Sequence, residues 1–120
     1  ADVVLIHSGH NHFSEENPVQ RIIESHRTII DHILSINPDA VIFVAQVIES
    51  GKLPKYSYIP DLNKEIKKMV KSYHSKHVVL VNAGKGFDWH VCTTDDMVHP
   101  NQEGAEIMAK NWFKAIHRRL

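Results

Sequence analysis

The sequence predicts an α/β domain built on a parallel sheet, and three observations support this. Short apolar runs rich in β-branched residues alternate with longer segments of helical periodicity. Each run is continuously apolar, which is typical of parallel strands buried on both faces. Each run also ends in a polar loop that contains glycine. We therefore expect a three-layer α/β/α fold with three parallel strands in this chain.

The first strand is predicted at Val3–His7, and a polar turn follows at residues 8–12. The next helix is expected to start with Asn17 as N-cap, Pro18 as the first helical residue and Gln20 as the reciprocal partner in a capping box. Helical spacing predicts one core face on this helix, formed by Ile22, His26, Ile29, Ile30 and Ile33.

The rest of the chain completes the order β-α-β-α-β-loop-α. Asn37-Pro38 ends the first helix, because proline disfavours helix in the residue before it. The remaining strands are predicted at 40–45 and 77–81. Between them lies a helix that starts at Pro60, and its inward residues are Leu62, Ile66, Met69, Val70 and Tyr73. The last helix runs from about Gln102 to about Arg118, and the residues on one of its faces are Ile107, Met108, Trp112 and Ile116. Right-handed crossovers between parallel strands bring the strand-exit loops, 8–16, 46–58 and 82–101, to one edge of the sheet.

Composition argues against several classes of partner. Lys+Arg and Asp+Glu number 14 each, so the basic excess expected of a nucleic-acid-binding protein is missing. The dense basic stretch Lys64–Lys76 alternates with apolar residues and is predicted to be a solvated helix face. No apolar run reaches membrane-spanning length, so we expect no membrane partner. Cys92 is the only cysteine; burial is expected, with a free thiol or an interchain bridge as alternatives.

The sharpest chemical signal is the segment Asp96-Met97-Val98-His99-Pro100-Asn101. A general-base histidine needs a carboxylate on one ring nitrogen, which fixes its tautomer and stabilises the imidazolium. Asp96 can supply that carboxylate to His99 from the same loop, and Asn101 is predicted to cap the following helix. The structural alternative is an Asx-type turn that caps a helix, with an incidental histidine.

A second signal is Gly9-x-Asn11 at the exit of the first strand. Glycine lets the backbone approach a ligand closely, and an asparagine amide can donate to an oxyanion. The structural alternative is a simple strand-to-helix turn. His7, His10 and His12 around this turn suggest a metal, but no cysteine or carboxylate spacing joins them, so we predict no metal site and no cofactor.

The two motifs together resemble those of the SGNH hydrolases, also called the GDSL esterase/lipase family. Residues 3–12 resemble the family's third conserved block, an apolar strand followed by Gly-x-Asn-Asp. Residues 96–104 resemble its fifth block, Asp-x-x-His-Pro-Asn-x-x-Gly, and Asn63 matches the intervening layout. The resemblance covers residues 1–120 as a single partial domain. A flavodoxin-like or response-regulator-like domain has the same topology but leaves the fifth block unexplained.

The resemblance implies catalytic roles for three residues. His99 is expected to be the general base, Asp96 its orienting carboxylate, and Asn11 an oxyanion-hole side chain. His12 stands where the family usually has aspartate, a residue that supports the loop, so this departure bears on loop geometry.

Substrate contacts are expected from the strand-exit loops. Gly9 allows close substrate approach, and the loop with Phe87 and Trp89 resembles the carbohydrate-acetylesterase branch of the family. Aromatic rings in such loops can stack on sugars; packing within the loop is the alternative. The predicted substrate-binding residues are Gly9, His10, Trp89 and Tyr56.

The family's nucleophile block is missing from the sequence. That block is an N-terminal Gly-Asp-Ser, and a further block supplies an oxyanion-hole glycine; neither is found here. Ser8 lacks the expected context for a nucleophile. Family members have about five parallel strands, so we expect a second polypeptide to supply the N-terminal strands and the serine block. The chain begins almost inside a strand, without methionine or a signal-like region, as expected of a precursor cut before Ala1.

The expected function is therefore that of the C-terminal subunit of a secreted serine esterase. Its substrate is expected to be an ester, in particular an O-acetyl ester on carbohydrate, and the isolated chain is expected to be inactive. The alternative is a non-catalytic, lectin-like subunit that uses the same scaffold to bind carbohydrate.

Overall fold

The computed structural model describes residues 1–12 and 16–120 and confirms the predicted α/β class. Strands β1 (Val3–Ile6), β2 (Val41–Gln46) and β3 (Val78–Asn82) form one parallel sheet in the order β1-β2-β3. The helices are α1 (Pro18–Ile36), α2 (Ile59–Ser72), α3 (Trp89–Cys92) and α4 (Gln102–Arg119), and a short 3₁₀ helix covers His10–His12. In this sheet, β1 and β3 are the two edge strands.

The helices lie on both faces of the sheet. One face packs against α1 and α2 in a core that includes Ile22, Ile42 and Leu62. The other packs against α4, where Phe43 and Val81 meet partly buried side chains such as Trp112, Ala115 and Ile116. The sheet is therefore the middle of three layers, as predicted.

Strand β1 is less buried than the sequence predicts. Val3 and Leu5 pair with Val41 and Phe43 of β2, so they point to the α4 face. They are nonetheless 39% and 52% exposed, and only Ile6 of this strand is buried. The prediction of a strand buried on both faces is wrong for β1, because α4 packs on β2 and β3 and leaves this edge uncovered.

Helix α1 begins at Pro18, with Asn17 as its N-cap residue, and ends at Ile36, as predicted, but the cap lacks the expected side-chain hydrogen bond. Asn17 has φ 50° and ψ 60°, and its side chain makes no capping hydrogen bond, so the predicted capping box with Gln20 is wrong. Ile29 was expected in the core face and is 47% exposed, because it lies on the flank of the helix.

The later elements follow the prediction within one or two residues, with one addition. Helix α3 was not predicted; Asp88 caps it by accepting a hydrogen bond from the backbone N–H of His90. Cys92 at its end is buried, as expected. The lysines of residues 64–76 are exposed, as expected of a solvated face. Among the described residues, none of the helices combines the length and apolarity needed to cross a membrane.

Candidate active site

The loop that carries the candidate base, residues 93–101, is held by its own backbone and by the exit of β2. The N–H of Thr94 donates to the His99 carbonyl at 2.8 Å, and the N–H of Met97 donates to the Thr94 carbonyl at 3.0 Å. Ser50 Oγ donates to the Met97 carbonyl at 2.9 Å and so ties this loop to a second one. The backbone of His99 is therefore fixed from both sides.

Asp96 uses its two carboxylate oxygens for different purposes. Oδ1 accepts from the backbone N–H groups of Val98 and His99, at 2.8 and 2.9 Å, and from Thr94 Oγ1 at 2.9 Å. Oδ2 accepts a short hydrogen bond from Nδ1 of the His99 ring. The turn and the His–Asp pair were alternative interpretations of the sequence, and this one carboxylate forms both.

The electrostatics of the pair suit a general base. The hydrogen bond from the His99 ring, followed by those from the backbone of His99 and Val98, holds the pKa of Asp96 well below its usual range. An ionised carboxylate only accepts, so Nδ1 carries the proton and Nε2 of a neutral His99 keeps its lone pair. The His99 side chain is 77% exposed, so that lone pair is accessible to a reacting group.

The end of the motif explains its asparagine and its glycine. Asn101 Oδ1 accepts from the N–H of Gly104 at 2.9 Å, which confirms the predicted N-cap of α4. Its Nδ2 donates to the carbonyl of Val91 at 2.8 Å. A Cβ on Gly104 would lie 2.3 Å from the carbonyl oxygen of Cys92, so no larger residue fits without displacing α4 from α3.

The Gly9-x-Asn11 turn is built on close packing. Gly9 has φ +141°, and a Cβ there would lie 2.7 Å from Cδ2 of Leu62. Its carbonyl accepts from Tyr58 Oη at 2.6 Å. These contacts give Gly9 a structural reason of its own, while its role in substrate approach stays a prediction. Asn11 follows in the 3₁₀ helix with its side chain exposed.

The two turns meet in a pocket of about 290 Å³ at the carboxyl ends of the strands. It is lined by His7, His10, Asn11, Ile48, Tyr56, Val98, His99, Pro100 and Met108. Four predicted site residues, His10, Asn11, Tyr56 and His99, thus share one cavity. Among the described residues, no serine, threonine or cysteine lines it; Ser14 lies outside those residues.

Two histidines of the pocket wall favour the neutral state. His10 Nε2 lies 3.0 Å from the Ile48 carbonyl, and because a carbonyl only accepts, this nitrogen carries the proton. Burial, and then the charge of His99, lower the pKa of His10; burial and His10 lower the pKa of His7. Within residues 1–12 and 16–120, no group of three His, Cys, Asp or Glu could hold a metal ion.

The aromatic residues proposed for sugar stacking pack within their loops. Trp89 lies over Gly51, where a Cβ would be 2.3 Å from the indole, and it stacks on His90 at 3.7 Å between centroids. Trp89 is not among the residues that line the pocket. Tyr56 lines it with only 7% of its surface exposed. A direct contact of either ring with sugar stays a prediction.

Asn63 has a positioning role that the sequence did not reveal. Its Oδ1 accepts from the N–H of Val47 and its Nδ2 donates to the Val47 carbonyl, both at 2.8 Å. Gln46 Nε2 also donates to the Asn63 carbonyl at 2.9 Å. The paired bonds hold the exit of β2, and so place Ile48 against the turn with His10 and Ser50 against the loop with Met97.

A three-layer fold on a parallel sheet, with a carboxylate-held histidine at its carboxyl edge, is an esterase-type fold. Comparison of the sequence gives the family: the GDSL-like lipase/acylhydrolase family matches residues 1–107, and the chain belongs to it. The resemblance to the SGNH hydrolases is thereby confirmed. None of the curated proteins matches the sequence.

Solved structures with the same fold include several hydrolases. A carbohydrate esterase family 3 protein from Talaromyces cellulolyticus aligns with a TM-score of 0.84 at 23% identity, over 98% of this chain and 57% of its own. A GDSL-like lipase from Bacteroides thetaiotaomicron aligns with a TM-score of 0.81 at 19% identity, over 99% of this chain and 63% of its own. An acetylxylan esterase from Geobacillus stearothermophilus aligns with a TM-score of 0.66 at 18% identity, over 96% of this chain and 59% of its own. This chain therefore spans roughly three fifths of each structure.

Proposed function

We propose that this chain forms the histidine side of a serine esterase site, with the nucleophilic serine supplied by a second polypeptide. One observation carries the proposal: His99, with Asp96 on its Nδ1, lines a pocket that also holds Asn11, and no nucleophile lines that pocket among the described residues. A general base with its orienting carboxylate needs a hydroxyl within reach to be of use.

The proposed reaction is acyl transfer through a covalent intermediate. Nε2 of His99 takes the serine proton as the serine oxygen attacks the ester carbonyl, and the Asn11 amide donates to the oxyanion that forms. When the oxyanion collapses, the C–O bond breaks and His99 returns the proton to the leaving alcohol. Water then attacks the acyl-enzyme with His99 as base, which releases the acid and regenerates the serine.

The lengths of the similar structures support a further segment that completes the site. About two fifths of each is unmatched by this chain. The Geobacillus structure is described as a catalytic mutant in which a serine near the start of that protein is replaced by alanine. No Gly-Asp-Ser block occurs in the 120 residues here. The missing serine and the unmatched length therefore fit the same absent segment.

The proposed substrate is an O-acetyl ester on carbohydrate. Similar structures include a carbohydrate esterase and an acetylxylan esterase. The part of the pocket that this chain lines has a volume of about 290 Å³. Acetate release from acetylated xylan, compared with hydrolysis of aryl acetate and aryl octanoate, tests both parts. Preference for the octanoate would contradict an acetyl ester as the substrate.

His99→Ala in the native assembled protein tests the function, with His90→Ala as matched control. His90 is also an exposed histidine that contacts an aspartate, Asp88, through Nδ1 at 2.8 Å. Removing a triad member leaves only the roughly 10³–10⁴-fold catalysis over water that the rest of the site provides. We expect aryl-acetate hydrolysis to drop by at least about 10³-fold in His99→Ala and to persist in His90→Ala. Equal activity in both variants would reject the assignment.

The lectin-like alternative has one observation in its favour, the lack of a nucleophile around the pocket in the described residues. It predicts that the native protein binds acetylated xylan oligosaccharides without releasing acetate. Isothermal titration with these oligosaccharides, combined with an acetate assay, separates the two functions. A co-purifying polypeptide with an intact Gly-Asp-Ser block would favour the esterase.

A further inference from the structure

A second groove lies at the carboxyl edge of the sheet, next to the pocket that holds His99. Its volume is about 320 Å³. Its polar and aromatic lining comes from the exits of β2 and β3 and from α2: Gln46, Glu49, Asn63, Asn82 and Phe87. Among the described residues, no lysine, arginine or histidine lines this groove. The lining therefore disfavours an anionic ligand and offers hydrogen bonds to a neutral one.

Residues 47–49 form the wall between the second groove and the catalytic pocket. Ile48 lines the catalytic pocket, whereas Val47 and Glu49 on either side of it line the second groove. The wall is thin, because a Cβ added to Gly84, which also lines the second groove, would lie 3.7 Å from Cγ2 of Ile48. A ligand in the second groove would thus be separated from the pocket of His99 by a single residue.

The shape of the second groove is fixed by hydrogen bonds within the fold. Asn63 uses both ends of its amide to hold the backbone of Val47. Gln46 Nε2 donates to the Asn63 carbonyl at 2.9 Å, which orients the Gln46 amide and leaves its Oε1 as an acceptor. The turn after β3 is closed by the N–H of Phe87, which donates to the Gly84 carbonyl at 3.0 Å. A ligand therefore meets a preformed surface, which lowers the entropic cost of binding.

Two exposed side chains of the second groove have no partner within the described part of the chain. The Asn82 amide and the Glu49 carboxylate make no hydrogen bond or ion pair there. Asn82 is paired in register with Gln46, and register partners on neighbouring strands point to the same face, so the two amides lie side by side. Together these groups present amide donors and amide and carboxylate acceptors, which match hydroxyl groups that both donate and accept.

Phe87 adds an aromatic surface to this polar lining. Its ring packs toward α4, since a Cβ on Gly104 would lie 2.8 Å from Cε2 of Phe87. The ring is half-buried, and the second groove is lined by it. A sugar ring has both apolar C–H faces and hydroxyl groups at its rim. An aromatic side chain beside amides and a carboxylate complements both parts of such a ligand.

We infer that the second groove is a saccharide subsite, which binds a neutral sugar unit of the substrate while the ester on a neighbouring unit lies at His99. The inference rests on the proposed function, since it names the part of the carbohydrate ester that is recognised away from the reacting bond. Neighbouring strands lie about 4.8 Å apart, so the exits of β1 and β3 are about 10 Å apart, a distance that a short oligosaccharide spans. Binding away from the reacting bond favours an acetylated oligosaccharide over a small acetate ester.

Kinetics of groove variants test this inference in the native assembled protein. The double variant Glu49→Ala/Asn82→Ala removes the two side chains without a partner, and Asp39→Ala is the matched control, because Asp39 is an exposed acid at the opposite end of β2. Loss of one or two hydrogen bonds should raise the KM for acetylated xylo-oligosaccharides roughly tenfold in the double variant and leave kcat unchanged. Hydrolysis of aryl acetate should stay unchanged, which also shows that the variant is folded. An unchanged KM for the oligosaccharides, or an equal rise for aryl acetate, would overturn the subsite.

Binding measured without chemistry separates this inference from the proposed function. Xylohexaose without acetyl groups has no ester to hydrolyse, and we expect calorimetry to show equal binding to the wild type and to His99→Ala, and roughly tenfold weaker binding to the double variant. The same pattern in a protein that releases no acetate would refute the esterase and keep the subsite. Equal binding to the wild type and the double variant, or no binding to the wild type, would refute the subsite and leave the role of His99 intact.

Discussion

Asp96→Asn is the most informative single substitution, because it replaces one oxygen of the site by nitrogen and moves the ring proton of His99 from Nδ1 to Nε2. Asn can keep Oδ1, so the acceptor for the N–H groups of Val98 and His99 and for Thr94 Oγ1 is retained. Oδ2 becomes an NH₂ group that donates toward Nδ1 of His99. The ring must then carry its proton on Nε2, which removes the lone pair that accepts the serine proton.

The expected magnitude follows from this reversal of the tautomer. The corresponding change in a serine protease, an established example, lowers kcat about 10⁴-fold while the geometry is kept. A 10⁴-fold loss is about 5.4 kcal/mol of transition-state stabilisation. Since the turn made by Oδ1 survives, we expect the melting temperature to change little, so the loss is one of chemistry rather than of folding.

The assay combines kinetics with a direct view of the tautomer. Aryl-acetate hydrolysis by the assembled protein is compared with that of Asp95→Asn, a change at the adjacent exposed carboxylate. The ¹⁵N shifts of the His99 ring in the isolated chain report which nitrogen carries the proton. Activity within threefold of the wild type, or a proton that stays on Nδ1, would refute the role assigned to Asp96.

Three further predictions concern how the site is held. Asn101→Ala removes the cap on α4 and should lower the free energy of unfolding by about 1 kcal/mol, which is roughly 4 °C in melting temperature for a chain of this size. Asn101→Asp keeps the acceptor and should lose less. Equal melting temperatures of the two variants would contradict the cap. Gly104→Ala should destabilise by about 1–3 kcal/mol in urea titrations, because its Cβ would meet the Cys92 carbonyl at 2.3 Å, while Gly84→Ala meets only ordinary contacts and is the control. The lowered pKa of His10 means that the unfolded chain binds more protons between that pKa and about 6.5, so the free energy of unfolding should fall as pH drops from 7.5 to 5.5. His10→Gln should flatten this dependence, and an unchanged slope would contradict it.

The loop of residues 93–101 could be predicted from the sequence because its interactions are local. Asp96, His99 and Asn101 find their partners within ten residues of chain, so their spacing alone carries the geometry. The contacts between loops could not be predicted in this way. Asn63 reaches Val47 across 16 residues and Ser50 reaches Met97 across 47, and no local pattern reports such pairs.

The predicted capping box between Asn17 and Gln20 failed for a different reason. A capping residue must have an extended backbone, and the side-chain type alone does not set it. Asparagine is also one of the few residues that readily adopts the left-handed conformation seen here, with φ 50°. The same residue type therefore suits both conformations, and only Pro18 marked the start of the helix correctly.

The errors in predicted burial are the most instructive, because they lie together. Apolar periodicity placed Leu62 and Ile66 of α2 in the core, and both are fully buried. The same reasoning placed β1 and Ile29 in the core, yet Val3, Leu5 and Ile29 are exposed. Apolar periodicity predicts which face of an element suits burial, but burial also requires a neighbouring element, and α4 packs on β2 and β3 rather than on β1.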